Sequence, residues 1–101
     1  MKFVNKVLIG LEGNPLKSGE VELTSAGVLV NCALMPAEGG RGYSAAVAAS
    51  RYDAALTLNR LAVGESVDLT LELLASLKQD ILRAYTPIVV GQMLPLLDGQ
   101  H

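Results

Sequence analysis

Tryptophan is absent from this 101-residue chain, cysteine and histidine occur once each, and there are four aromatics in all: Phe3, Tyr43, Tyr52 and Tyr85. Each shortage removes a class of function. Single-stranded nucleic acids are held on stacked aromatic platforms, and these four rings are too few to build one. A lone cysteine, Cys32, allows no disulfide framework and no CxxC metal pair. It sits in an apolar run without a histidine partner or a nearby cation, so it reads as a small buried hydrophobe and not as a nucleophile. A chain without disulfides fits a reducing cytoplasm. The single histidine is His101, the last residue. A terminal imidazole is expected to be held too loosely for general-base or metal-ligand work. Ser-His-Asp and Cys-His arrangements therefore have no candidate members.

Charge of one sign is also lacking. Eight Lys/Arg stand against ten Asp/Glu, for a net charge of −2, and no basic cluster occurs. Nucleic-acid affinity draws on several Lys/Arg releasing counterions from one face, so no nucleic-acid partner is expected. Long apolar runs are missing too. The longest, Val28 to Ala37, contains Asn31, and Lys6 interrupts the opening run before Gly10 and Glu12. Neither a membrane span nor a secretory signal is expected, since a span takes about 18 or more apolar residues. The carboxylates are scattered. Glu20 and Glu22 would share one face of a strand and could bind a cation, but no second acidic cluster completes a site, and a solvated face is the simpler reading. Gly39-Gly40-Arg41-Gly42 lacks the flanking strand and the Lys-Ser/Thr pair of a phosphate loop and reads as a linker. With these roles unfilled, no catalytic residue, cofactor or metal is assigned, and an enzyme is not expected.

What is present is hydrophobic matter, 50% of the residues. No repeat or domain linker is visible, so residues 1–101 form one domain. Residues 1–23 read as a β-hairpin: a β-branched and apolar leg over Lys6–Leu11, a turn at Glu12-Gly13-Asn14-Pro15, a second loop at Lys17-Ser18-Gly19, and a return strand at Val21–Leu23. Residues 24–98 read as helical. Thr24 or Ser25 can cap Ala26–Met35, and Pro36 stops it. A buried strand through Val28 and Val30 is the alternative that so short a run leaves open. Ser44 can cap Ala45–Val63, ended by Gly64, with Ala48, Tyr52, Ala55, Leu56, Ala62 and Val63 at helical spacing. Residues 65–69 read as a connection. Thr70 can cap Leu71–Tyr85, whose Leu71, Leu74, Ala75, Ile81, Leu82 and Tyr85 make an apolar stripe opposite Glu72, Ser76, Gln79, Asp80 and Arg83. Thr86-Pro87 opens a last helix that Pro95 is expected to kink or end near Leu94, before a frayed tail at 99–101. The fold class is thus mainly α (α+β): an N-terminal hairpin followed by three or four packed helices.

Two places could make protein contacts. Arg41 and Tyr43 adjoin the glycine loop and are residue types favoured at interfaces, although Tyr43 could equally staple the Ser44-capped helix. Ile88, Val89 and Met93 lie on a helix that is apolar nearly all round, as a core helix or an interface helix would be. The apolar surplus is generous for a domain of this size, so a homo-oligomer is expected.

Several segments also resemble a family of small proteins of about this length encoded by tailed bacteriophages and prophages. They are Gly10-Leu-Glu-Gly-Asn-Pro-Leu, Leu23-Thr, Arg51-Tyr-Asp-Ala-Ala-Leu, Val67-Asp-Leu-Thr-Leu-Glu and Tyr85-Thr-Pro-Ile-Val-Val-Gly-Gln-Met-Leu-Pro-Leu-Leu. The resemblance covers most of the chain and is strongest in its last third. It departs at the glycines of 39–42, where that family tends to carry charge, and at Pro95. It implies no activity, only a context: a phage product in the host bacterial cytoplasm or in the virion. The function expected is non-enzymatic contact with a protein partner, in head or tail assembly or as a minor virion component. The alternatives are an inhibitor of a host defence or transcription protein, weakened as a nucleic-acid mimic by a charge of only −2, and a small DNA-binding regulator. The last suffers because its second helix, 87–97, carries no Lys or Arg.

Overall fold

The computed structural model describes residues 2–35 and 42–98. The elements in order are β1 (Lys2–Val4), β2 (Lys17–Ser18), β3 (Val21–Glu22), α1 (Ser25–Ala33), α2 (Ala45–Asn59), β4 (Ser66–Asp68), α3 (Leu71–Ala84) and α4 (Pro87–Leu97). The chain is an α+β domain in which four helices pack with short antiparallel strand pairs. The hairpin proper is β2–β3, turned at Gly19, whose φ of +68° suits a residue without Cβ. The leg at residues 6–11 joins it only through isolated bridges, Val7 to Thr24 and Ile9 to Pro15. β1 instead pairs with β4, Phe3 opposite Val67. The connection expected at 65–69 therefore contains a strand. Its only local signal is one valine between polar residues, and its partner lies more than sixty positions away.

α1 packs against both α2 and α3, while α4 packs on α3 and β1. The core is built from Phe3, Leu8, Val28, Leu29, Leu58, Leu77, Ile81 and Met93, none more than 1% exposed. Thr24, Ser44 and Thr70 cap α1, α2 and α3, each accepting from the amide three residues on. Residues 26–35 are thus helical in the main and not a strand, ending at Ala33. Thr86 occupies the N-cap position of α4 but makes no side-chain cap bond; Pro87 follows at the first turn.

Two helix ends differ from the sequence reading. α2 stops at Asn59, not Val63, because Asn5 takes over the groups that would have extended it. The Asn5 side-chain amide donates to the Leu61 carbonyl at 2.9 Å, and its backbone bonds to Glu65 and Gly64 at 2.9 and 2.8 Å. Gly64, at φ +91°, belongs to this turn. Conversely, α4 runs through Pro95 to Leu97. Pro95 cannot donate to the Gly91 carbonyl, but both residues lie on the exposed side, where water can take that carbonyl.

Candidate functional site

Most of the charge chemistry sits at the junction of α1, α2 and α3. Arg51 is a charged residue of α2, yet its side chain is 4% exposed. It reaches the C-terminal end of α1, where its Nη2 donates to the Cys32 carbonyl at 2.9 Å and its Nε to the Ala33 carbonyl at 3.3 Å. These are carbonyls that a helix end leaves without intrahelical partners, at the negative pole of the helix dipole. Nη1 donates to Ser76 Oγ at 2.7 Å, and the guanidinium pairs with the Asp80 carboxylate. The second Asp80 oxygen accepts from Arg83 at 3.2 Å. Tyr43 closes the cluster, its ring centroid 4.6 Å from the Arg51 guanidinium carbon. Tyr43 is therefore half-buried and engaged within the chain. Arg41 lies outside the described residues.

This cluster is internally complete. Among the described residues no buried side-chain nitrogen or oxygen lacks a hydrogen-bond partner. Cys32 lies beside it, fully buried. Burial, reinforced by the Asp80 charge and opposed by Arg51 and Arg83, pushes its thiol up to about 12, so it stays protonated at neutral pH. Burial also raises the Tyr85 phenol, against the hydrogen bond from Asn31, which favours the charged form. A cleft of about 240 Å³ opens between α2 and α3 beside Arg51, Thr70 and Glu72, but the Arg51 donors facing it are already engaged. Glu20 and Glu22 are both exposed. Among the described residues no three of His, Cys, Asp or Glu are grouped to hold a metal, and no helix is long and apolar enough to cross a membrane.

The second site is an apolar groove of about 460 Å³ where the first turn of the chain meets the start of α4. Ile9 and Leu11 form one wall, and Pro87, Ile88 and Gly91 the other. Leu11 is 97% exposed and Ile9 49%. The Ile9 backbone is held by Gln92, whose Oε1 accepts from the Ile9 amide at 2.9 Å and whose Nε2 donates to the Ile9 carbonyl at 2.7 Å. A further bond from Nε2 to the Ile88 carbonyl, 2.9 Å away, fixes the amide on its own helix. The turn itself closes through Gly10 and Asn14 at 2.7 Å. Of the three α4 residues singled out in the sequence, only Ile88 reaches this groove. Val89 and Met93 face the core at 5% and 0% exposure, because the helix turns that side onto α3 and β1. They are packing residues in the folded chain, and the side of α4 that lines the groove is Pro87, Ile88 and Gly91.

Sequence reasoning missed Arg51, Asp80 and Leu11. The available signals were an arginine framed by alanines at core spacing, an acid in the second half of a helix where the dipole disfavours it, and a leucine inside a turn. Comparison of the chain with protein-family models, curated proteins and solved structures finds no match. The fold and these two sites thus define a small α+β domain whose Arg51 and Asp80 charges bond inward and whose apolar groove opens outward.

Proposed function

We propose that this protein is a non-enzymatic phage or prophage component that acts by protein–protein contact in virion assembly, with the Ile9–Leu11–Ile88 groove as its docking site for a phage structural protein. The observation that carries the reading is Leu11: a large apolar side chain almost fully in water, two residues beyond Ile9, whose backbone Gln92 clamps. Exposed apolar groups on a pre-ordered frame lose little entropy when a partner covers them. The groove also joins two segments that resemble the phage family, the opening turn at 10–16 and the stretch at 85–97, where the resemblance is strongest. The inward bonding of Arg51 and Asp80 supports a non-catalytic role, since these groups are occupied in holding helices together, and the Cys32 thiol is buried.

The test is affinity capture from phage-infected cells with native protein and a Leu11→Glu variant. Native protein is expected to recover head or tail proteins, and the variant to lose them while keeping its helical circular-dichroism spectrum. Recovery of a single host protein instead would favour the inhibitor reading. Equal recovery by both forms would remove the groove from the contact.

A further inference from the structure

We propose that the outward face of α2 is a self-association surface that binds a second copy of this chain, with the two α2 helices antiparallel. The proposal does not depend on the groove at Leu11. α2 presents its buried residues, Arg51, Ala54, Ala55 and Leu58, to the rest of the fold. A second line, apolar except for Asn59, lies beside them. Ala45, Ala49, Tyr52, Leu56 and Asn59 recur at alternating steps of four and three, the spacing of a coiled-coil seam. All five are exposed, Tyr52 at 57% and Leu56 at 39%. Tyr52 and Leu56 supply bulk for anchoring.

Charge indicates that the occupant is another copy. Asp53 and Arg60 each follow a seam residue directly and are seven positions apart, so they lie on the same flank two turns from each other. Arg60 is the C-cap and keeps helical geometry at φ −90° and ψ −6°. Both are exposed, and neither joins an ion pair with another described residue. In an antiparallel pair related by a two-fold axis, each flank meets the same flank of the other copy, running in reverse. A two-fold contact is reciprocal: if residue i meets j, then j meets i. Asp53 of one copy therefore opposes Arg60 of the other, and the reverse, giving two ion pairs from one surface. Leu56 and Asn59 of both copies fill the middle. Sliding the helices by one heptad puts Asp53 against Asp53, so charge disfavours that register. The contact uses only the C-terminal half of α2. Its area falls below the roughly 1,200–2,000 Å² of stable interfaces, and a weak dimer is expected.

The experiment is sedimentation velocity on the full chain at concentrations up to the order of 1 mM, comparing native protein, Asp53→Arg, Arg60→Asp, the double variant and an equimolar mixture of the two single variants. The substituted residues are exposed, and circular dichroism checks that each variant folds. A concentration-dependent native dimer is expected. Each single variant creates two like-charge pairs and should raise the dissociation constant by about tenfold or more. The double variant and the mixture restore opposite charges across the contact and should recover native association. A native protein that stays monomeric overturns the proposal. So does a dimer indifferent to these substitutions, or a mixture no tighter than its components.

Discussion

Replacing Arg51 by Met isolates the polar junction of the helices. Methionine retains much of the arginine stem's bulk but removes every donor. The substitution leaves the Cys32 and Ala33 carbonyls without their side-chain partner, frees Ser76, and strands one Asp80 oxygen that is 12% exposed at the side-chain level. Removing one partner of a buried ion pair costs about 3–5 kcal/mol, mostly because the other charge stays behind. The Arg83 contact to Asp80 survives and partly screens that charge, which places the expected loss near the lower end, about 3 kcal/mol. Total stability for a domain of this kind is about 5–15 kcal/mol, so the variant should fold but melt far earlier. At about 4–8 °C per kcal/mol, the expected fall in Tm exceeds 12 °C. Urea titration followed by circular dichroism reads the same loss as a lower midpoint at unchanged slope. Arg51→Met combined with Asp80→Asn should lose less than the sum of the two single changes, because the stranded charge is gone. A single-variant loss under about 1 kcal/mol, the range of an exposed pair, would refute the view that this junction holds α1, α2 and α3 together. So would additive single and double variants.

Cys32 and Tyr85 set an alkaline limit. Both have raised folded-state pKa values, so their contribution to stability is fully present below the unfolded values of 9.0 and 10.0 and is lost as pH rises through the folded ones. Denaturation midpoints should therefore fall above about pH 9, and Cys32→Ala should flatten the first part of that decline. At pH 8 the native thiol should react with a disulfide reagent at least about a hundredfold more slowly than the urea-unfolded thiol, since the thiolate is both scarce and buried. Comparable rates would show that Cys32 is accessible. Gln92→Ala removes the clamp on Ile9. It should cost about 1.5–3 kcal/mol for three lost hydrogen bonds, two to Ile9 and one to Ile88, and speed hydrogen exchange at the Ile9 amide selectively, while the amides of α3 stay protected.

The chain's local chemistry settled a good deal. Thr24, Ser44 and Thr70 are short oxygen-bearing side chains ahead of apolar runs, and each caps its helix as a local hydrogen bond requires no distant partner. The α+β class and the starts of these helices follow from such short-range rules; the hairpin turned at Gly19, inside what reads as a loop, and the helix count, left at three or four, do not. Which face each helix buries follows only in part. Leu74 and Ile81 are buried and Glu72, Ser76, Gln79 and Arg83 exposed, as the amphipathic reading of α3 expects, but Leu71 and Leu82 lie at 67% and 49% exposure while Asp80 is buried. Hydropathy assigns a cost to burying a carboxylate but cannot register that an arginine 29 positions earlier will meet it. The same limit applies to Asn5, whose bonds to residues 61–65 end α2 early, and to Gln92, which reaches 83 positions back to hold Ile9. Capping and turns are energies of neighbouring residues, and the sequence alone determined them. The Arg51 junction, the β1–β4 pairing and the Leu11 groove are energies of residues far apart in the chain, and only tertiary packing decided them.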